Sequence, residues 1–177
     1  MTRSRLIVAV AALVPAAACL GGCAWRPGLR SDHRLTFVSP PAGAMVSGPV
    51  EVRWQIARSD FRPTRFDGSH TTRRGVFAVF VDRAPMPPGR DIDSLAAHDA
   101  VCVVSPGCPD GAWLADHGVY LTTRPALAFT ALPVGSGRRA GAGRRRHEVT
   151  VVLLDGRGVR IGESAWTRVF YVRERET

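Results

Sequence analysis

No lysine occurs in this sequence of 177 residues: all 24 basic residues are arginine, and against 15 acidic residues they give a formal charge of +9. In a chain that avoids lysine, arginine runs partly reflect composition, so their number alone marks no site. Only one apolar stretch approaches membrane length, which excludes a polytopic membrane protein. No internal repeat is visible, and the length allows one domain with appendages, not two full cores. Familiar catalytic signatures are missing as well. There is no G-x-S-x-G for a serine nucleophile, no H-E-x-x-H zinc helix, and no phosphate or dinucleotide glycine loop between a strand and a helix. Gly135, Gly137, Gly141 and Gly143 are interleaved with Ser, Ala and Arg instead. What is present is a globular composition, 45% apolar and 22% charged.

The N-terminus carries an address. Arg3 and Arg5 form a positive region, and residues 6–20 are apolar, interrupted only by Pro15. At about fifteen residues the run falls short of the ~20 that a permanent membrane helix needs, so residues 1–22 read as a secretory signal. The segment ends in Leu20-Gly21-Gly22-Cys23, which resembles the lipobox of bacterial lipoproteins: a branched aliphatic residue and two small residues before an obligatory Cys. The resemblance implies that the Cys23 thiol receives a diacylglyceryl group and that the signal is cut before it, leaving the new N-terminus open to acylation. At ~0.8 kcal/mol per buried CH₂, two or three acyl chains hold a protein durably where one does not. The expected location is the outer face of the bacterial cytoplasmic membrane, or another envelope membrane, with the chain lipid-anchored and extracytoplasmic. Residues 23–34 read as the lipidated tether; residues 24–34 reach about 35 Å when extended, which keeps the folded domain near the membrane.

Cys19 lies inside the signal. Cys102 and Cys108 enclose five residues, with Ser105-Pro106-Gly107 as a turn. An oxidising envelope favours a disulfide between them, which would stabilise the loop by roughly 2 kcal/mol on the chain-entropy estimate. The alternatives are a metal pair or a redox couple, but C-x₅-C matches neither the C-x₂-C zinc knuckle nor the C-x-x-C redox motif.

Period-two patterning begins at residues 35–38. Val50–Ile56 alternates without a fault, Val50, Val52, Trp54 and Ile56 inward and Glu51, Arg53 and Gln55 outward. Residues 57–74 are polar and Arg-rich and read as a long loop. Residues 75–81 are almost continuously apolar, as in a central strand covered on both faces. A proline-rich turn at 85–89 leads into weakly periodic sequence over 90–118, with a short helix expected around 92–100. Strands are expected at 119–122, 126–132, 147–154 and 166–172, with Asp155-Gly156-Arg157-Gly158 as a hairpin turn. About seven strands with little helix indicate an all-β, antiparallel sandwich. The run from Phe37-Val38-Ser39-Pro40-Pro41-Ala42-Gly43 to Val50 resembles the opening of immunoglobulin-like and fibronectin-III-like domains, and residues 147–172 resemble their closing hairpin. The resemblance implies an Ig-like/FnIII-like β-sandwich over residues 35–173, with residues 85–124 as a disulfide-bearing insertion and 174–177 as a tail.

His33, His70, His98, His117 and His147 lack any ligand spacing. His98 and His117 flank the disulfide loop and, with Asp99, Asp110 and Asp116, are the candidates for a metal or small-ligand carrier. Gly68-Ser69-His70 and Ser105 lack the partners of a hydrolase. Asp91 and Asp93 beside Arg90 fit a turn or helix cap better than an acid–base pair. Arg138, Arg139, Arg144, Arg145 and Arg146 fall in one Gly/Ala-rich loop. Anionic lipid headgroups or an acidic envelope polymer are the partners such a cluster would meet, each Arg adding ~1 kcal/mol near a charged surface; the plainer reading is a solvated loop. No aromatic interleaving supports nucleic acid as a partner. Trp54 is expected in the core, and Trp113 either packs over the disulfide or offers a stacking surface. The expected function is a lipid-anchored, non-catalytic binding or accessory module for another envelope component, with neither enzymatic activity nor a cofactor. The alternative is the small-ligand or metal carrier at His98 and His117.

Overall fold

The computed structural model describes residues 34–132, 137–141 and 143–173. The signal, the lipobox with Cys23, the tether with His33, and the 174–177 tail lie outside the described residues. Among the described residues ten strands are formed, in chain order β1 (Leu35–Ser39), β2 (Met45–Val46), β3 (Val50–Ile56), β4 (Arg62–Pro63), β5 (Arg74–Val81), β6 (Val119–Thr122), β7 (Ala126–Phe129), β8 (Arg138–Arg139), β9 (Arg144–Leu154) and β10 (Trp166–Arg173). Between β5 and β6 lie a 3₁₀ turn (Ile92–Ala96) and two short helices, α1 (Ala100–Val104) and α2 (Gly111–Asp116). The strands beyond the seven expected are β2, β4 and β8, each of two residues, too short to leave a periodic trace.

The strands make two sheets. The smaller has the order β1-β3-β7 and is antiparallel; the larger runs β2-β10-β9-β5-β4, with β6 also on β5 and β8 also on β9. The larger sheet is mixed, because β2 lies parallel to β10 and β4 parallel to β5. The alternation of β3 is realised: Val50, Val52 and Trp54 are buried while Glu51, Arg53 and Gln55 are exposed.

The centre of the molecule is the β5–β9 pair, apolar on both faces. Phe77, Val79 and Val81 of β5 join Val149, Val151 and Leu153 of β9 in a first core, shared with Val52, Trp54 and Phe129 of the smaller sheet and Phe170 of β10. Their neighbours in sequence, Ala78, Phe80, Val152 and Leu154, point the other way into a second core with Met86, Leu114 and Val119. The insertion is therefore a packed layer on the outer face of the larger sheet. Arg160 clasps it there. The buried guanidinium donates to the carbonyls of Met86 and Glu163, and the Arg160 amide donates to the Arg90 carbonyl at 2.8 Å. Burial lowers the Arg160 pKa from its ordinary value.

Two expectations are revised and a third is met. The segment 57–74 is no free loop: Phe61 is fully buried against Phe77 at 5.3 Å between ring centroids, and β4 pairs with the start of β5. A lone aromatic in polar sequence has no period to betray it. The single helix expected near 92–100 is instead broken into short turns, each started by an aspartate. Asp91 accepts from Ser94 N–H, Asp99 from Val101 and Cys102 N–H, and Asp110 from Trp113 N–H. The turn expected at Asp155-Gly156-Arg157-Gly158 is formed: the Gly158 amide donates to the Asp155 carbonyl at 3.0 Å, the Ile161 amide donates to the Leu153 carbonyl at 2.8 Å, and Leu154 bridges Arg160 antiparallel, although β10 itself pairs only from Trp166 opposite Val151. Asp155, 1% exposed, organises that turn: Oδ1 accepts from the Arg157 and Val159 amides, both at 2.9 Å, and Oδ2 lies 2.6 Å from His70 Nδ1. Burial pushes the Asp155 pKa up, but the hydrogen bonds from His70, Val159 and Arg157 outweigh it and hold the carboxyl below its ordinary value.

Two predictions follow from this packing. Gly75 has φ +149°, and a Cβ there would lie 1.9 Å from the Leu154 carbonyl oxygen. Gly75→Ala is expected to cost about 3 kcal/mol or more in urea unfolding, whereas Gly43→Ala, with open space around it, costs about 1 kcal/mol. Because Asp155 ionises more readily folded than unfolded, its contribution is complete above about pH 5 and is lost as pH falls through the folded value. Asp155→Asn should flatten that acidic limb of the stability curve and lower stability at pH 7 by about 1–3 kcal/mol.

Candidate functional surface

The tip of the insertion is built on two fixed points. Cys102 and Cys108 stand at disulfide distance, with Cα atoms 5.2 Å apart. Asp99 caps α1 with one oxygen and accepts Trp113 Nε1–H at 3.0 Å with the other, joining α1 to α2. The Cys102 amide, then the Trp113 indole, hold the Asp99 carboxyl below its usual range. Trp113 packs against the second core and stacks on His117 at 3.8 Å between centroids, while His117 Nδ1 lies 2.7 Å from the Trp113 carbonyl. Trp113 is thus a packing residue on the second core and His117.

With Cys102 turned inward at 3% exposure, the rest of that helical turn faces outward: Val101, Val103 and Val104 are 74%, 65% and 79% exposed. All three are apolar side chains open to water on one short helix, and exposed apolar patches on a monomer are often functional. The sequence shows three apolar residues around a cysteine, and only the direction of Cys102 reveals that they are outside. Of the carrier candidates, Asp99 and Asp110 are engaged as helix caps, and His98 and Asp116 are exposed. Among the described residues no group of three or more His, Cys, Asp or Glu is arranged to hold a metal ion.

The arginine cluster is not a loop. Arg138 and Arg139 pair with Arg146 and Arg145 as β8 on β9, and β10 flanks the other side with Arg144 opposite Arg173 and Arg146 opposite Tyr171. Paired residues share a face. Arg144, Arg146 and Arg138 therefore lie on the face that carries Val152 and Leu154, together with Tyr171 and, opposite it on β2, Met45. Met45 is 46% exposed, and the Arg144 guanidinium sits 5.6 Å from the centroid of the Tyr171 ring. Arg146 pairs with Glu148 at 2.8 Å.

This arginine end is pinned from beneath. His147 is buried, stacks on Phe170 and meets Asp82 Oδ2 at 2.7 Å, while Asp82 Oδ1 accepts the Glu148 amide at 2.8 Å. Gly137 presses on His147 so closely that a Cβ would fall 2.7 Å from Cε1. A cleft of about 590 Å³ between β5's exit and the hairpin is lined by Asp82, Arg83, Arg138, Arg146 and Glu148. The arginine cluster was visible in sequence; its sheet geometry was hidden because pairing of two-residue strands is decided by the buried histidine.

No protein-family model matches the chain, and neither a curated protein nor a solved structure is significantly similar to it.

Reducing the Cys102–Cys108 bond should release α1 while the central sheet stays folded. Hydrogen exchange is expected to rise by roughly 30-fold for amides of residues 100–105, the equivalent of about 2 kcal/mol, with β5 and β9 unchanged.

Proposed function

We propose that this chain is a lipid-anchored extracytoplasmic protein. It is held through Cys23 on the outer face of the bacterial cytoplasmic membrane or another envelope membrane. Its Ig-like or fibronectin-III-like sandwich serves as a non-catalytic binding module for another envelope component. The observation that carries the binding role is the outward triad Val101, Val103 and Val104 on a cross-linked, aspartate-capped turn. Three β-branched apolar side chains facing water gain nothing for the fold, and rigidity lowers the entropic cost of docking them. The sandwich reading is supported by two sheets that share one core, with the three-stranded β1-β3-β7 sheet opposite the larger one. The carrier reading at His98 and His117 has no observation in its favour.

Both parts can be tested in the native envelope. An alkyne fatty acid fed to the cells should label the protein and Cys23→Ser should abolish label and membrane retention together; an unlabelled wild-type chain overturns the anchor. A photo-crosslinking residue at Val103 should give a discrete adduct, and one at Gln55, exposed on the smaller sheet, should give none. Absence of an adduct at Val103 overturns the binding role.

A further inference from the structure

We infer that the component bound by the insertion is a second copy of this chain: the insertion of one copy docks on the arginine-bearing half of the next copy's larger sheet. The inference rests on the proposed reading of the insertion as a binding surface and names its partner.

The outer face of the larger sheet is covered only in part. The insertion covers Ala78, Phe80, Val152 and Leu154, whereas the continuation of the same face carries Arg144, Arg146, Arg138, Tyr171 and Met45. Charge is divided between the two elements. Residues 85–118 hold five aspartates and one arginine, and residues 138–146 hold five arginines and no acid. Asp91, Asp93, Asp110 and Asp116 are exposed on the first; Arg138 and Arg144 are exposed on the outer face of the second and have no ionic partner among the described residues. Each charged element also bears apolar surface, the valine triad within the acidic insertion and Met45 with Tyr171 among the arginines. An anionic lipid surface would answer the arginines but leave the valines in water beside repelled aspartates. A second copy answers both in one contact, since apolar meets apolar and acid meets base.

Three valines cover far less than the ~800 Å² per partner of a standard interface, so the contact is a weak one in solution. Tethering copies to one membrane raises their effective concentration, which is where a contact of this strength becomes populated.

The test is sedimentation velocity on the full chain in mild neutral detergent. At low salt the chain is expected to self-associate, and 0.5 M salt to dissociate it. Arg138→Glu with Arg144→Glu should be monomeric alone, and so should Asp93→Arg with Asp116→Arg. An equimolar mixture of the two variants should associate again, because the swapped charges are complementary, and restored association also shows that both variants are folded. A wild-type chain that stays monomeric at about 1 mM, or a mixture that stays monomeric, overturns the inference. So does flotation of a monomeric chain with phosphatidylglycerol vesicles that depends on Arg138 and Arg144, which assigns the arginine face to lipid. The Val103 adduct separates the two levels. An adduct twice the chain mass supports a second copy, an adduct with a different protein keeps the binding role and removes the second copy, and no adduct removes both.

Discussion

Everything in this fold depends on the ladder between β5 and β9. Two strands that are apolar on both faces can exist in water only if both faces are covered. One face receives the smaller sheet, through Val52, Trp54 and Phe129. The other receives the insertion, through Met86, Leu114 and Val119. The long connection between β5 and β6 is thus a structural necessity of the central strands, and its length is that of a covering layer. The close backbone approach of Gly75 to Leu154 belongs to the same constraint, because it lets the ladder begin where the chain arrives from β4.

Two carboxylates, Asp155 buried and Asp82 largely shielded, secure the ends of β9. Asp82 holds His147 and the Glu148 amide near the beginning of the strand; Asp155 holds His70 and the turn beyond its end. Each spends both oxygens, so a buried charge is satisfied by several donors rather than left alone in an apolar medium. Their placement has consequences for the surface. Asp82 and His147 give the arginine hairpin a rigid floor, and Asp155 draws the segment with Phe61 and His70 against the sheet. Arg160 completes the arrangement by fastening the start of the insertion to the β9–β10 connection.

The functional surface arises from what these constraints leave outside. The insertion must bury Cys102 and Leu114, and a one-turn helix that turns its cysteine inward sends Val101, Val103 and Val104 outward. The larger sheet extends past the insertion because β8 and β10 pair with both edges of Arg144–Leu154, which spreads arginines over a face instead of a loop. An acidic, apolar-tipped layer and a basic sheet end therefore occur on one molecule, side by side on the outer face of the larger sheet.

Much of this was legible in the chain. The alternation of Val50–Ile56 needed only period two, and the unbroken apolar run before Asp82 needed only the rule that central strands are hydrophobic on both faces. The spacing of Cys102 and Cys108 announced a short cross-linked loop, and the arginine cluster stood out by composition. What the residues could not disclose is which of two equivalent directions a short element takes. Nothing local distinguishes Val103 from a core valine, Phe61 from a loop aromatic, or Arg138 from a solvated arginine. Those assignments follow from tertiary packing, where Cys102 is turned inward and buried, Phe61 meets Phe77 and Gly137 meets His147. The sequence by itself determined the strands, because their periodicity is a local property. Only the tertiary structure decided the surfaces, because a short segment's outward face is whatever remains after its distant partners have claimed the other.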